Sequence, residues 1–164
     1  MQAKNVIVAF LIGLIFWILL NNTLDPLILA LGAGLSMILS LIFCSRCDVF
    51  SELKLTPQAL FYTGIYLGVF FAELIKSNLD VARRVITPSL PINPGIVEVK
   101  TRLKSRMGRM ILANSITLTP GTLTIDILED TLYIHWIDVK TEDTQEATEY
   151  IVRKFEKYLE KIYG

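Results

Sequence analysis

The chain has 164 residues, of which 52% are hydrophobic, and 16 basic residues balance 16 acidic ones. This apolar content excludes an ordinary small water-soluble domain and indicates a membrane protein. The zero net charge conceals a division: residues 73–109 carry eight basic and three acidic residues, whereas residues 110–164 carry five and ten. A basic band beside a membrane segment is attracted to anionic lipid, as in the cytoplasmic leaflet.

Three uncharged runs lie in the N-terminal half. Asn5–Leu24 and Pro26–Ser45 have 20 residues each, and Leu55–Ala72 has 18. At 1.5 Å per residue they reach about 27–30 Å, close to the hydrocarbon thickness of a bilayer, so we predict three transmembrane helices. The polar turn that ends at Pro26 predicts that the first two form an antiparallel hairpin. A re-entrant pair buried in protein is the alternative arrangement.

The basic residues predict the orientation. Lys4, Arg46 and Lys54 lie on one side of a three-helix arrangement, and the larger basic cluster after Lys76 lies on the other. The positive-inside rule then places the C-terminal half in the cytoplasm and the N-terminus outside. The segment Lys76–Ile86 can continue the third helix along the membrane surface.

Small residues recur every four positions on two of the predicted helices. They form faces along which another helix can approach closely, so we expect partner polypeptides rather than lipid there. The third helix contributes Gly64, Gly68 and Ala72, and the second contributes Gly32 and Ser36.

Glu73 follows the third uncharged run directly. A carboxylate near hydrocarbon is costly unless it is paired or faces a protein interior, and such residues often mark ion pathways. Alternatively, Glu73 forms an ion pair at the membrane edge with Lys76, three residues further along the helix. We interpret Glu73, Lys76 and Asn78 as residues that line a polar ion path or contact a partner.

The proline-rich segment 88–95 predicts a boundary. Pro88, Pro91 and Pro94, followed by Gly95, favour an extended strap between the membrane region 1–87 and a domain of residues 96–164.

The C-terminal region predicts a small cytoplasmic βαββα domain, which makes the chain an α+β membrane protein. Alternating or β-branched residues indicate strands, helical spacing indicates helices, and Glu129-Asp130 is short enough only for a hairpin. Asp143 and Glu146 fit a capping box at the start of the last helix. The predicted strands are Ile96–Leu103, Thr122–Leu128 and Thr131–Ile137, and the first domain helix is Ser105–Ile116.

The residues argue against autonomous catalysis, a cofactor or a metal site. The single histidine, His135, lies within a predicted strand, and with Cys44 and Cys47 it is one ligand short of a structural zinc site. A disulfide between the two cysteines is possible only if their loop faces outward. The basic run 100–109 lacks aromatic residues for base stacking, which favours lipid or an acidic partner over nucleic acid.

Four segments of the sequence are distinctive: ELIKSNLDVARRV at 73–85, PINPGIVEVKTRLKS at 91–105, ANSITLTPGTLTIDI at 113–127 and DTLYIHWID at 130–138. They closely resemble the E-type subunits of the Mrp-type (Mnh) multisubunit cation/proton antiporters, while the N-terminal runs match in position and character only. The family motif includes Pro91, Pro94, Gly95, Asn114, Thr119, Pro120 and Gly121, which we expect to be structural.

The resemblance implies a non-catalytic small subunit of a multisubunit complex that exchanges Na⁺ for H⁺ across a prokaryotic plasma membrane. It also implies partners, namely small F- and G-type subunits and large antiporter-like subunits. Related subunits occur in membrane-bound hydrogenase and sulfur-reducing complexes, so both settings stay open. The rival class is a membrane-tethered scaffold or ligand-sensing module.

Overall fold

A computed structural model describes residues 3–44, 52, 54 and 56–164. The chain divides into two compact units, Met1–Leu53 and Lys54–Gly164. Among the described residues, three helices are long and apolar enough to cross a membrane, and a small antiparallel sheet with further helices follows them. The predicted α+β membrane fold is therefore confirmed. Cys47, one of the two predicted thiols, lies outside the described residues.

The first unit is a hairpin of two helices, α1 (Ala3–Asn21) and α2 (Pro26–Cys44). Asp25 caps α2, since its Oδ1 accepts hydrogen bonds from the backbone N of Leu27 at 2.8 Å and of Ile28 at 3.3 Å. The indole Nε1 of Trp17 donates to the carbonyl oxygen of Ile28 at 3.0 Å and joins the two helices.

The small-residue face of α2 packs against α1 of the same chain. A Cβ built at Gly32 would lie 2.2 Å from Cδ1 of Trp17, and Ser36 is 7% exposed and touches the site of a Cβ at Gly13. This differs from our expectation that Gly32 and Ser36 receive partner helices. The tight turn before Pro26 holds the hairpin together, so α1 occupies this face.

The second unit begins with a long helix, α3 (Pro57–Ile86), and ends with a three-stranded antiparallel sheet and its helices. The strand order is β1-β3-β2, and Glu129 takes a positive φ of 55° in the predicted hairpin. The predicted final helix divides at Val152 into two. The remaining elements are β1 (Gly95–Lys100), α4 (Arg106–Leu118), β2 (Thr122–Leu128), β3 (Thr131–Trp136), α5 (Thr144–Ile151) and α6 (Arg153–Tyr163).

Helix α3 belongs to the same core as the sheet. Helices α4 and α5 contact the strands. Helix α6 packs against α4 and α5, and α3 packs against α6. Ala59 and Tyr66 of α3 are buried in the cluster that contains Leu132 and Phe155. The Tyr66 hydroxyl is hydrogen-bonded to the hydroxyl of Ser115, and its ring meets Phe155 edge-on at a centroid distance of 6.4 Å. The compact unit therefore starts before α3, not at the proline-rich segment.

The proline-rich segment turns back and pairs with the residues that follow β3, unlike the extended strap that the prolines predict. Leu90 adopts a φ of 41°, and its N donates to the carbonyl oxygen of Thr87. The N of Asn93 donates to the carbonyl oxygen of Ile137 at 3.1 Å, and the N of Val139 donates to that of Asn93 at 2.8 Å. These hydrogen bonds outweigh the tendency of the prolines to extend.

We predict that Glu156→Ala lowers the free energy of unfolding by about 3 kcal/mol, because it leaves buried donors without an acceptor. Glu156 is 1% exposed and accepts from the Thr101 hydroxyl at 2.5 Å, from the N of Arg102 at 2.7 Å, and from Arg153. Thermal or denaturant unfolding of the detergent-solubilised protein measures the change. Glu149→Ala, which removes the exposed partner of Arg153, is the matched control, and we expect it to cost about 0.5 kcal/mol or less. Equal effects of the two substitutions would contradict the assignment.

Candidate functional site

The two sides of α3 differ in what they contact. The inner face, which packs on the domain, contains Ala59, Tyr66, Glu73, Ser77 and Arg84, at spacings of seven or four residues. Residues at this spacing lie on one side of a helix. The domain therefore follows α3 from its first turn to its last.

A cleft of about 600 Å³ opens between the C-terminal half of α3 and the domain. Its wall on the domain side contains the turn Thr119-Pro120-Gly121 of the family motif and residues that follow β3. Both signs of charge line it, in near balance. The charged lining residues are Glu73, Lys76, Asp80, Arg84, Asp138, Lys140 and Lys154.

Glu73 is paired across the cleft. Its Oε2 accepts a hydrogen bond from Nζ of Lys154 in α6 at 2.7 Å, and Nζ of Lys76 lies 3.8 Å from Oε1. Lys76 is 79% exposed, whereas the Glu73 side chain is 23% exposed. The stronger partner is therefore the distant lysine, and the local pair contributes less.

A second ion-pair cluster lies further along α3. The Arg84 guanidinium contacts carboxylates of Asp80 and Asp138, each at 2.7 Å, and donates to the carbonyl oxygen of Pro91 at 2.6 Å. Lys140 also contacts Asp138. Hydrogen bonds from Lys140, and then from Arg84, hold the pKa of Asp138 below its usual value, while desolvation opposes them. This carboxylate stays charged at neutral pH and holds α3 against the segment after β3.

The turn of the family motif is built from hydroxyl groups and one glycine. The Thr119 hydroxyl donates to the carbonyl oxygens of Ser115 and Ile116, and the Thr122 hydroxyl donates to that of Ile116 at 2.6 Å. These bonds satisfy the last carbonyls of α4. Gly121 has a φ of 94°, and a Cβ there would lie 3.0 Å from Cγ2 of Ile137 and 3.7 Å from Cγ2 of Val81. The motif thus brings the turn close to α3.

The structure brings Glu73 and Lys76 together but leaves Asn78 apart. The Asn78 amide donates to the carbonyl oxygen of Leu74 at 2.8 Å, and Asn78 lies outside the cleft lining. Asn114 is exposed on α4. Pro91 and Pro94 are exposed on the turned segment, and Gly95 begins β1 close to Val139. The assignment of Glu73, Lys76 and Asn78 to an ion path or partner contact stays a prediction.

Gly64, Gly68 and Ala72 lie on the outer face of α3, away from the domain. Within the described part of the chain, no atom outside the helix lies within 4 Å of a Cβ built at Gly64 or Gly68. The predicted packing of another helix on these positions also stays a prediction.

Sequence reasoning missed Lys154, Asp138 and Tyr66 as members of the site. Lys154 is 81 residues from Glu73, so no local spacing relates the two. One signal was present: tyrosines and Glu73 recur at helical spacing on one side of an otherwise apolar helix, which is typical of protein contact rather than of lipid.

The charged side chains of the cleft are paired. Glu73, Arg84 and Asp138 each have a partner of opposite charge, so the ion pairs hold α3 against the domain and leave the cleft nearly neutral. These ion pairs give the cleft a structural role, since they join α3 to the domain.

The protein family described as Na⁺/H⁺ ion antiporter subunit matches residues 10–162. The chain belongs to this family. Over 98% of both chains it is 35% identical to the E1 subunit of the Na⁺/H⁺ antiporter of Staphylococcus haemolyticus (strain JCSC1435). It is 46% identical to the E subunit of the Na⁺/H⁺ antiporter of Alkalihalophilus pseudofirmus (strain ATCC BAA-2126 / JCM 17055 / OF4) over 47% of this chain and 50% of that one. The resemblance to E-type subunits is confirmed.

A solved structure extends the likeness to a second kind of complex. A chain of the membrane-bound sulfane sulfur reductase, an archaeal respiratory membrane complex, is 44% identical and superposes with a TM-score of 0.82. The match covers 94% of this chain and 96% of that one. This chain therefore has a close structural relative in a complex that is named as a respiratory complex rather than as an antiporter.

We predict that Gly121→Ala destabilises the protein by about 1–3 kcal/mol, because Ala is strained at this φ and its Cβ meets Ile137. Gly64→Ala is the matched control. Its site is open and lies inside a helix, so we expect a change of less than about 1 kcal/mol, in the stabilising direction. The midpoint of thermal unfolding in detergent compares them. A Gly121 variant as stable as the wild type would contradict the role of this turn.

Proposed function

We propose that this chain is a non-catalytic subunit of a multisubunit ion-translocating complex in a prokaryotic cell membrane. The observation that carries the proposal is a family match that runs from the first apolar helix to the last helix of the domain. The matched relatives are named as subunits of Na⁺/H⁺ antiporters. The proposal covers transport of Na⁺ and H⁺ by the complex, not by this chain alone.

The sulfane sulfur reductase relative supports a second setting for the same subunit. Its identity of 44% exceeds the 35% of the full-length antiporter relative, and both matches cover nearly the whole chain. Membership of a respiratory complex of that type is therefore the second candidate function.

The domain is proposed to lie on the cytoplasmic side and to contact companion subunits, including F- and G-type small subunits. The basic residues between Lys76 and Arg109 support this side, because positive residues favour the cytoplasmic face of a membrane. Because α3 is part of the domain core, anything that holds α3 at the membrane also fixes the domain. Support of assembly is the role that such a rigid unit performs best.

Glu73 is proposed to border the polar route of the complex as well as to clamp α3. The carboxylate is 23% exposed in a cleft open to water, beside Lys76 and Lys154. A partly exposed charge can attract a hydrated cation while remaining paired.

We predict that the affinity-tagged full-length chain, purified from its source membrane in mild detergent, brings several very hydrophobic subunits with it. Large antiporter-like companions alone would assign it to an antiporter, and additional redox subunits would assign it to a respiratory complex. Mass spectrometry identifies the companions, and the untagged strain is the control. A solitary, stable chain would instead support a scaffold or sensor and overturn the proposal.

We predict that Glu73→Gln lowers Na⁺-dependent proton exchange of the assembled complex several-fold, measured in inverted vesicles. The charge reversal Glu73→Lys with Lys154→Glu restores an ion pair, so we expect it to recover thermal stability without recovering exchange. Asp80→Asn, which alters another cleft carboxylate, is the matched control. Unaltered exchange in Glu73→Gln would remove the ion role, and recovery of exchange by the reversal would leave Glu73 with the clamp alone.

A further inference from the structure

The outer face of α3 is apolar along the full length of the helix. Its large apolar side chains are between about half and four-fifths exposed. They recur at helical spacing opposite the inner face that packs on the domain. They are Phe61, Phe71, Ile75, Leu79 and Ile86, with Leu60 and Leu67 at one margin.

Charged residues are distributed unequally around α3. The acidic residues Glu73 and Asp80 lie toward the domain; Glu73 pairs with Lys154 of α6, and Asp80 pairs with Arg84 of α3 itself. The basic residues Lys76 and Arg83 are exposed at the margin of the outer face. An apolar face with basic margins is the pattern of a helix that lies in the headgroup region of a membrane with anionic lipid.

Helix α6 packs along the N-terminal part of α3, so this part of α3 cannot enter hydrocarbon without α6. Its contacts run from Lys154, at Glu73, to the C-terminal Gly164, whose carbonyl oxygen accepts from Nζ of Lys54 at 2.8 Å. The two helices are therefore antiparallel neighbours over residues 57–73 of α3. Six of the eleven residues of α6 are charged. If α3 crossed the bilayer, these charges would enter hydrocarbon with it, at great cost.

We propose that α3 lies along the membrane surface, with its outer face in the lipid headgroup region of one leaflet, and does not cross the bilayer. The occupant of the outer face is lipid with anionic headgroups, because basic residues border that face and the two helices of the first unit are long and apolar enough to cross a membrane. Residues on both sides of α3 then lie on the same side of the membrane as the domain. This inference does not depend on which complex contains the chain.

Depth measurements on the outer face test the proposal. Spin labels are placed one at a time at Phe61→Cys, Gly68→Cys, Ile75→Cys and Leu79→Cys, in full-length protein with Cys44 and Cys47 replaced by Ser. The protein, with any subunits that co-purify, is placed in nanodiscs of phosphatidylcholine and phosphatidylglycerol. Collision with oxygen and with a water-soluble nickel complex reports depth, and Glu142→Cys on the domain is the aqueous reference.

We expect all four labels at one shallow depth, about 5–10 Å below the phosphates. A crossing helix would instead separate the first and last labels by about 27 Å of depth, with the deepest label in the middle. That result overturns the proposal. Low collision with both reagents also overturns it, because it shows that protein rather than lipid covers the face.

The two ends of α3 give an independent test. Lys54→Cys and Ser89→Cys flank the helix and are exposed positions. We expect a membrane-impermeant maleimide to label both from the same side of sealed vesicles, together with Glu142→Cys. Labelling of positions 54 and 89 from opposite sides overturns the proposal, whatever the depth profile shows.

Discussion

The contact between the inner face of α3 and α6 is the constraint on which the second unit depends. Through it, Ala59 and Tyr66 enter the core that also holds Leu132 and Phe155, so one helix is both the most apolar element of the unit and part of its fold. A domain of three short strands would bury a modest core by itself. The added helix enlarges that core. Because α3 and the domain share this core, the position of α3 also determines the position of the domain.

The packing of α3 on the domain explains the distribution of charge around the helix. Where α3 borders the cleft, Lys154 compensates the partly buried carboxylate of Glu73, while Asp80 pairs with Arg84 and stays more than half exposed. On the side of α3 that faces away from the domain, no acidic residue lies between Phe61 and Ile86, and basic residues occur only at the margin of this side. One side of this 30-residue helix therefore suits contact with the domain, and the other side suits apolar surroundings.

The elements of the domain could be predicted from the sequence because their signals are local. Alternation identified the strands, and Asp143 does cap α5, accepting from the N of Gln145 and of Glu146 at 2.9 Å. The position of α3 could not be predicted, because aromatic residues such as Phe61 and Tyr66 raise the apolar character of both faces alike. A window over consecutive residues does not separate the two faces. The three prolines also did not predict the bridge between Asn93 and Asp138, because that contact depends on the position of the segment that follows β3.

The cost of moving charged residues into the bilayer limits where the domain can lie. Exposed Lys157 and Lys161 on α6 would cost about 6 kcal/mol if α3 carried them toward the bilayer centre, at about 3 kcal/mol each. That sum is comparable to the whole stability of a domain, which is about 5–15 kcal/mol. With α3 along the membrane surface, as proposed, the domain stays in water while it packs closely on α3. The hydroxyl of Ser115 in α4 is hydrogen-bonded to Tyr66, and Gly121 lies beside Val81 and so close to Ile137 that a Cβ would be crowded. The conformation of Ser115–Gly121 thus fixes how near α3 lies to the sheet, which is a geometric role that needs no ion chemistry of its own.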